Sequence, residues 1–157
     1  MRIEISNSCV KPVMTRYNEV RIVPFAPDLM FELVADVEAY PKFLPWCIGA
    51  RVRDRTDQGY LADLIIGFKM LREKYSSHVH LDKTNMAIKI DYLDGPFRHL
   101  DNNWKFTQTE TGGTQIEFHI DFEFRSRLLQ NLIGKMFGEA VSVMVNAFEK
   151  RAHELYG

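Results

Sequence analysis

The chain is short of cysteine: Cys9 and Cys47 are the only two in 157 residues. A lone pair at that separation makes neither a disulfide framework nor a metal-ligand spacing, and a reducing compartment is the expected setting. It is also short of net charge. With 20 Lys and Arg against 21 Asp and Glu, there is no bulk field to attract nucleic acid, and DNA is not an expected partner. No apolar run approaches the ~20 residues that a membrane-spanning helix needs. The opening MRIEISNSCVKPV has neither a basic start followed by an apolar block nor the acid-free, Arg-rich make-up of a transit peptide. These absences predict a soluble, intracellular protein. Residues 1–13 read as a loose extension, ahead of a single domain over 14–157 that is long enough to bury roughly two thirds of its unfolded surface.

Catalytic signatures are missing as well. There is no GxSxG, no phosphate-cradling glycine loop and no dinucleotide fingerprint. His78 and His80 are two apart on an expected strand, but no carboxylate or cysteine stands at ligand spacing, so no metal site is expected and a surface pair is the reading. His99 flanks a strand and His119 lies on a polar strand face. Asp63 and Asp91 sit in otherwise apolar strands, where an outward position explains both and a pocket acid is the alternative. Arg51, Arg53 and Arg55 alternate and are expected to face one way, as are Arg72 and Lys74, either as a solvated face or as a contact for anionic headgroups.

What the chain does have is phenylalanine, 11 residues, and methionine, 7, which suit an interior of flat rings and adaptable thioethers. Tyr17 to Val23 reads as a strand closed by Pro24. Pro27 and Asp28 then start a helix whose apolar face is Leu29, Met30, Leu33, Val34 and Val37. The segment Glu38 to Cys47 holds two prolines and three aromatics and cannot be one regular helix. From Ile48 to Phe124 short runs alternate with turns, giving strands near 48–57, 59–67, 70–82, 85–93, 100–109 and 114–124 in an antiparallel meander. The last is the clearest: Ile116, Phe118, Ile120, Phe122 and Phe124 alternate with polar residues, so one face is covered and the other wet.

The cover follows. From Arg127 to about Leu155, Leu128, Leu129, Leu132, Ile133, Met136, Phe137, Ala140, Val141, Met144, Ala147 and Phe148 recur at helical spacing. A continuous helix there would be about 40 Å long. Gly134 and Gly138 weaken its middle by roughly 1 kcal/mol each; close packing, a slight bend or a hinge at a pocket mouth would account for them. The fold class is α+β: a curved antiparallel sheet of six or seven strands, two short helices after the first strand, and a long C-terminal helix.

That order, with Tyr40-Pro41-x-Phe43-Leu44-Pro45-Trp46-Cys47, Gly95-Pro96-Phe97, and Trp104 with Phe106, resembles the coenzyme Q-binding protein family, within the START and polyketide-cyclase-like group of helix-grip proteins. The resemblance covers about residues 15–156. It implies a cavity between sheet and helix that accommodates ubiquinone or a similar lipid, with no covalent cofactor, in support of respiratory electron transfer. It also implies transient contact with a membrane surface, respiratory complexes as partners, and a place peripheral to the inner membrane of a bacterium or on the matrix side of the mitochondrial one. The expected lining is Ile88, Ile90, Tyr92, Trp104, Phe106, Phe118, Ile120 and Phe122 from strands and Met136, Ala140 and Met144 from the helix, although the same residues would serve as plain core. Phe43, Leu44, Pro45 and Trp46 form either a proline-braced corner or an apolar lip at the mouth for membrane or partner contact. The same family group resembles ribosome association toxins, so a ribosome-directed role is the alternative, and a cyclase or aromatase-type enzyme a further one.

Overall fold

The computed structural model describes residues 15–68 and 70–157. The extension expected at 1–13, Cys9 within it and Met14 lie outside the described residues.

The first strand, β1 (Thr15–Val23), is followed by helix α1 (Pro27–Ala35) and a 3-10 helix (Val37–Lys42). Proline at the first position of α1 loses no hydrogen bond there, and the Ala26 carbonyl accepts from the N–H groups of Leu29 and Met30. The face carrying Met30, Phe31, Leu33 and Val34 is buried. Six strands then run in hairpin succession: β2 (Cys47–Thr56), β3 (Gly59–Phe68), β4 (Leu71–Asp82), β5 (Ala87–Asp94), β6 (Phe97–Gln108) and β7 (Thr114–Phe124). The order across the sheet is β1-β7-β6-β5-β4-β3-β2, with every neighbour antiparallel. Register shifts in β2, between Ser76 and Ser77 in β4, and between Phe97 and His99 in β6 add local twist and bend the sheet. At the β5–β6 turn Gly95 has φ +146°, and a Cβ there would stand 2.5 Å from that of Tyr75, so the strands cross closely only because the position is glycine.

The C-terminal cover is two helices, a correction to the single one expected. α2 (Arg127–Gly134) is capped by Ser126, whose Oγ accepts from the Leu129 N–H at 3.2 Å; the chain breaks at Lys135–Met136 and α3 (Phe137–Tyr156) follows. Gly134 and Gly138 flank the break, where helix propensity is lowest. A Cβ at Gly138 would meet nothing within 4 Å, so close packing is not its reason. The buried face of α2 also differs from the one expected. Leu128 and Leu132, expected in the buried face, are 77% and 45% exposed, while Gln130 is buried. Its Oε1 accepts the Phe124 N–H at 2.8 Å, satisfying a backbone donor that an apolar side chain could not.

α3, about 30 Å long, lies across the concave face and is pinned at its far end. The Tyr156 hydroxyl donates to the Leu29 carbonyl at 3.2 Å, and Arg21 of β1 donates to Asn146 at 2.6 Å and to Glu149 at 3.0 Å. β6 begins at Phe97, three residues earlier than its periodicity suggests, because the Phe97–His99 shift disrupts the alternation.

Candidate functional site: an apolar cavity under the terminal helix

The sheet curves away from α3 faster than side chains fill the gap, and a cavity of about 270 Å³ remains. Its floor is the inward-facing residues of β3 to β7, its roof is α3 with Ile133 and Met136, and Leu44, Pro45 and Trp46 line it from the segment that follows the 3-10 helix. Of the residues expected to line a pocket, Ile88, Ile90, Trp104, Phe118, Ile120, Phe122, Met136, Ala140 and Met144 do so. Tyr92 and Phe106 stand elsewhere. The Tyr92 hydroxyl accepts the Phe97 N–H at 3.0 Å and its ring packs on Phe97, whereas Phe106 lies beneath α1 with its ring 5.9 Å from Phe31.

The segment 40–47 contributes both to a structural brace and to the cavity lining. The Tyr40 hydroxyl donates to the Val34 carbonyl, bracing the 3-10 helix against α1. Phe43 is turned inward against Tyr40 and Phe148, with the Arg151 guanidinium over its ring, so it belongs to the brace and not to the cavity. Leu44, Pro45 and Trp46 line the cavity. Trp46 adopts φ 67°, unusual for a bulky residue; its carbonyl accepts the Gly67 N–H at 2.8 Å and its ring meets Phe68 with 5.8 Å between centroids. Such a conformation persists only where surrounding contacts over-determine it.

Several lining residues escaped the sequence reading. Ala62, Leu64, Ile66 and Phe68 of β3 alternate inward and their period of two was there to be used. Ser77 and Asn102 share the same period with Val79 and Trp104 but are polar, and Cys47 carries no such signal.

No Asp, Glu, His, Lys or Arg is among the described lining residues. The titratable groups that line it are Tyr40, Tyr75 and Cys47, and burial pushes all three upward, so they are held neutral. The Asn102 amide donates to the His119 carbonyl at 2.8 Å, and the Cys47 thiol lies 3.7 Å from the Gly49 carbonyl oxygen. The interior therefore offers rings, methyl groups and a few neutral dipoles, which suits an uncharged apolar guest.

The sheet carries its charged side chains on the outer face. Asp63 points outward and accepts from Arg53, Ser76 and Arg51; these bonds, that of Arg53 foremost, hold its carboxyl well below the usual carboxylate range despite desolvation. Asp91 is bound by His80 at 2.8 Å, and His78 and His80 stack with 4.0 Å between ring centroids. Arg55 departs from the expected row. Asp54 takes φ 53° at the β2 register shift and re-aims Arg55 towards Glu38 and the ring of Tyr60. Among the described residues no group of three or more His, Cys, Asp or Glu could hold a metal ion, and no helix is long and apolar enough to cross a membrane.

The family described as polyketide cyclase / dehydrase and lipid transport matches residues 23–149. The chain belongs to that family. It is 40% identical over 145 residues to a protein of Rickettsia prowazekii named ribosome association toxin RatA, covering 90% of this chain and 99% of the other. It is 33% identical over 145 residues to the mitochondrial coenzyme Q-binding protein COQ10 homolog B of Xenopus laevis, covering 90% of this chain and 59% of the longer relative. The solved structure of a START superfamily protein from Mycobacterium smegmatis superposes with a TM-score of 0.76 at 17% identity, covering 89% of this chain and 98% of that one. The fold is thus the START-like helix grip: a seven-stranded antiparallel curved sheet closed by C-terminal helices.

Proposed function

We propose that the protein holds a lipophilic quinone, ubiquinone or a lipid of similar shape, between sheet and terminal helix, and carries or protects it in support of respiratory electron transport without altering it. The observation behind this reading is the unfilled, uncharged cavity; in this reading Leu44, Pro45 and Trp46, which are among its lining residues, form its rim. At about 270 Å³ it sits near the lower end of small-molecule sites, enough for a ring and a short stretch of chain, with a longer isoprenoid tail leaving through the rim.

Delivery would take place at a membrane surface. Leu128 and Leu132 are exposed on α2, and Met70 is 98% exposed at the β3–β4 turn; the same two elements meet around a smaller void of about 60 Å³ lined by Phe68, Leu71, Leu129 and Ile133. Arg72, Lys74, Arg125, Arg127 and Lys135 are exposed on or beside these elements, and apolar groups flanked by cations suit an anionic leaflet. The proposed place is peripheral to the inner membrane, on the cytoplasmic side in a bacterium or the matrix side in a mitochondrion, with respiratory complexes as recipients. Purification from a bacterial host followed by solvent extraction and mass spectrometry tests the reading. A stoichiometric quinone is the expected finding; recovery of phospholipid alone would refute it.

A ribosome-directed role is the second reading, favoured by the likeness to ribosome association toxin RatA along nearly that protein's whole length. Co-sedimentation of the purified protein with ribosomal subunits on sucrose gradients tests it.

A further inference from the structure

Among the described residues that line the cavity, Ser77 carries a fully buried polar side-chain atom without a partner. Ser77 is 3% exposed and lines the cavity, and its Oγ makes no hydrogen bond. A buried hydroxyl left in this state destabilises the fold by the cost of its lost hydration, so its presence needs an explanation. Its chain neighbour provides the contrast: Ser76 faces the other side of β4 and donates to Asp63 at 2.6 Å. Of two adjacent serines, the outer one is satisfied and the inner one is not. The register shift between β4 and β5 falls between these two residues, and such shifts re-aim side chains beside functional sites.

Tyr75 stands two residues away on the same inner face and lines the same cavity. Its ring is set edge-on against Phe97 with 5.4 Å between centroids, and no hydrogen bond of its hydroxyl is present among the described residues. Residues two apart on a strand lie roughly 7 Å apart along it, so the two side chains rise from one strip of the cavity wall.

We infer that Ser77 and Tyr75 form the station at which an oxygen of the bound ligand is recognised. The ligand enters ring first, its carbonyl or hydroxyl oxygen seated on β4 and its hydrocarbon part directed towards the rim. A hydroxyl both donates and accepts, so the same station serves the carbonyl of a quinone and the phenolic hydroxyl of the reduced form. The absence of any cation among the described lining residues disfavours a carboxylate or phosphate headgroup in that position.

This inference rests on the cavity-binding reading and separates from it in one experiment. Decylubiquinone and dodecylbenzene, which carries no oxygen, are titrated by calorimetry against the wild type, Ser77→Ala and Tyr75→Phe. The expected result is a three- to ten-fold loss of decylubiquinone affinity in each variant, roughly one hydrogen bond, with dodecylbenzene affinity unchanged. Ser77→Ala removes an unpartnered group and should melt no lower than the wild type when empty, and Tyr75→Phe keeps the ring, so both variants stay folded. Equal decylubiquinone affinity in wild type and Ser77→Ala overturns the station while leaving the cavity reading intact. If the wild type takes up neither probe, the cavity reading fails and the station with it.

Discussion

The ring of Phe148 on α3 stands edge-on to that of Trp104 in β6, with 5.2 Å between centroids and 67° between planes. It also touches Tyr40 and Phe43, so one side chain joins the terminal helix, the sheet and the 3-10 corner where the cavity closes. Phe148→Ala is expected to lower stability by about 3–5 kcal/mol, measured by chemical denaturation, and to extend the void into the space left behind. A loss below 1 kcal/mol would mean that the corner closes without it.

Asp63 predicts an acid limb in the stability profile. Its carboxyl is depressed in the folded protein by Arg53, Ser76 and Arg51, so the ionised form stabilises the fold fully above the ordinary carboxylate value. That contribution is lost progressively as pH falls below about 4. Asp63→Asn should cost about 1–3 kcal/mol at neutral pH and give a flatter profile below pH 4, as read by denaturant midpoints. An unchanged slope would show that other carboxylates carry the limb.

Gly138 predicts the opposite sign. It lies in the first turn of α3 with open space where a Cβ would go. Gly138→Ala should therefore raise stability by roughly 0.5–1 kcal/mol, seen as a higher melting temperature. If the break between α2 and α3 also serves as a hinge, the same variant slows ligand uptake in a stopped-flow measurement without changing equilibrium affinity.

Cys47 reports on occupancy. Burial raises its thiol above its ordinary value, so it carries little thiolate at neutral pH and should alkylate slowly with iodoacetamide. In a Cys9→Ser background, quinone saturation should slow that reaction further, because Cys47 lines the cavity. Protection that fails to appear at saturating quinone would place the ligand elsewhere.

Periodicity told most of the architecture. β7 alternates apolar and polar residues from Ile116 to Phe124, and Asp94-Gly95-Pro96 marks a turn that the structure contains. The split of the terminal helix was hidden because Ile133, Met136, Phe137 and Ala140 keep helical spacing across the break, and spacing cannot tell a bent cover from a straight one. The start of β6 and the direction of Arg55 were missed for one shared reason: register shifts flip the inward and outward faces, and they follow from pairing rather than from local sequence. The cavity itself was beyond reach of the pattern, since Trp104, Phe118 and Phe122 occupy inward positions whether they enclose a void or fill it. Ser77 was legible as an inward position, since it shares the period-two face of Tyr75 and Val79 opposite His78 and His80; that its hydroxyl would lack a partner was not.

The hollow has a volumetric consequence. Unfolding eliminates an internal void, so the unfolded chain with its water occupies less space than the native state, and compression favours it. The empty protein should therefore unfold at a lower hydrostatic pressure than its loaded form, by a margin that tracks how completely the guest fills the roughly 270 Å³ beneath α3.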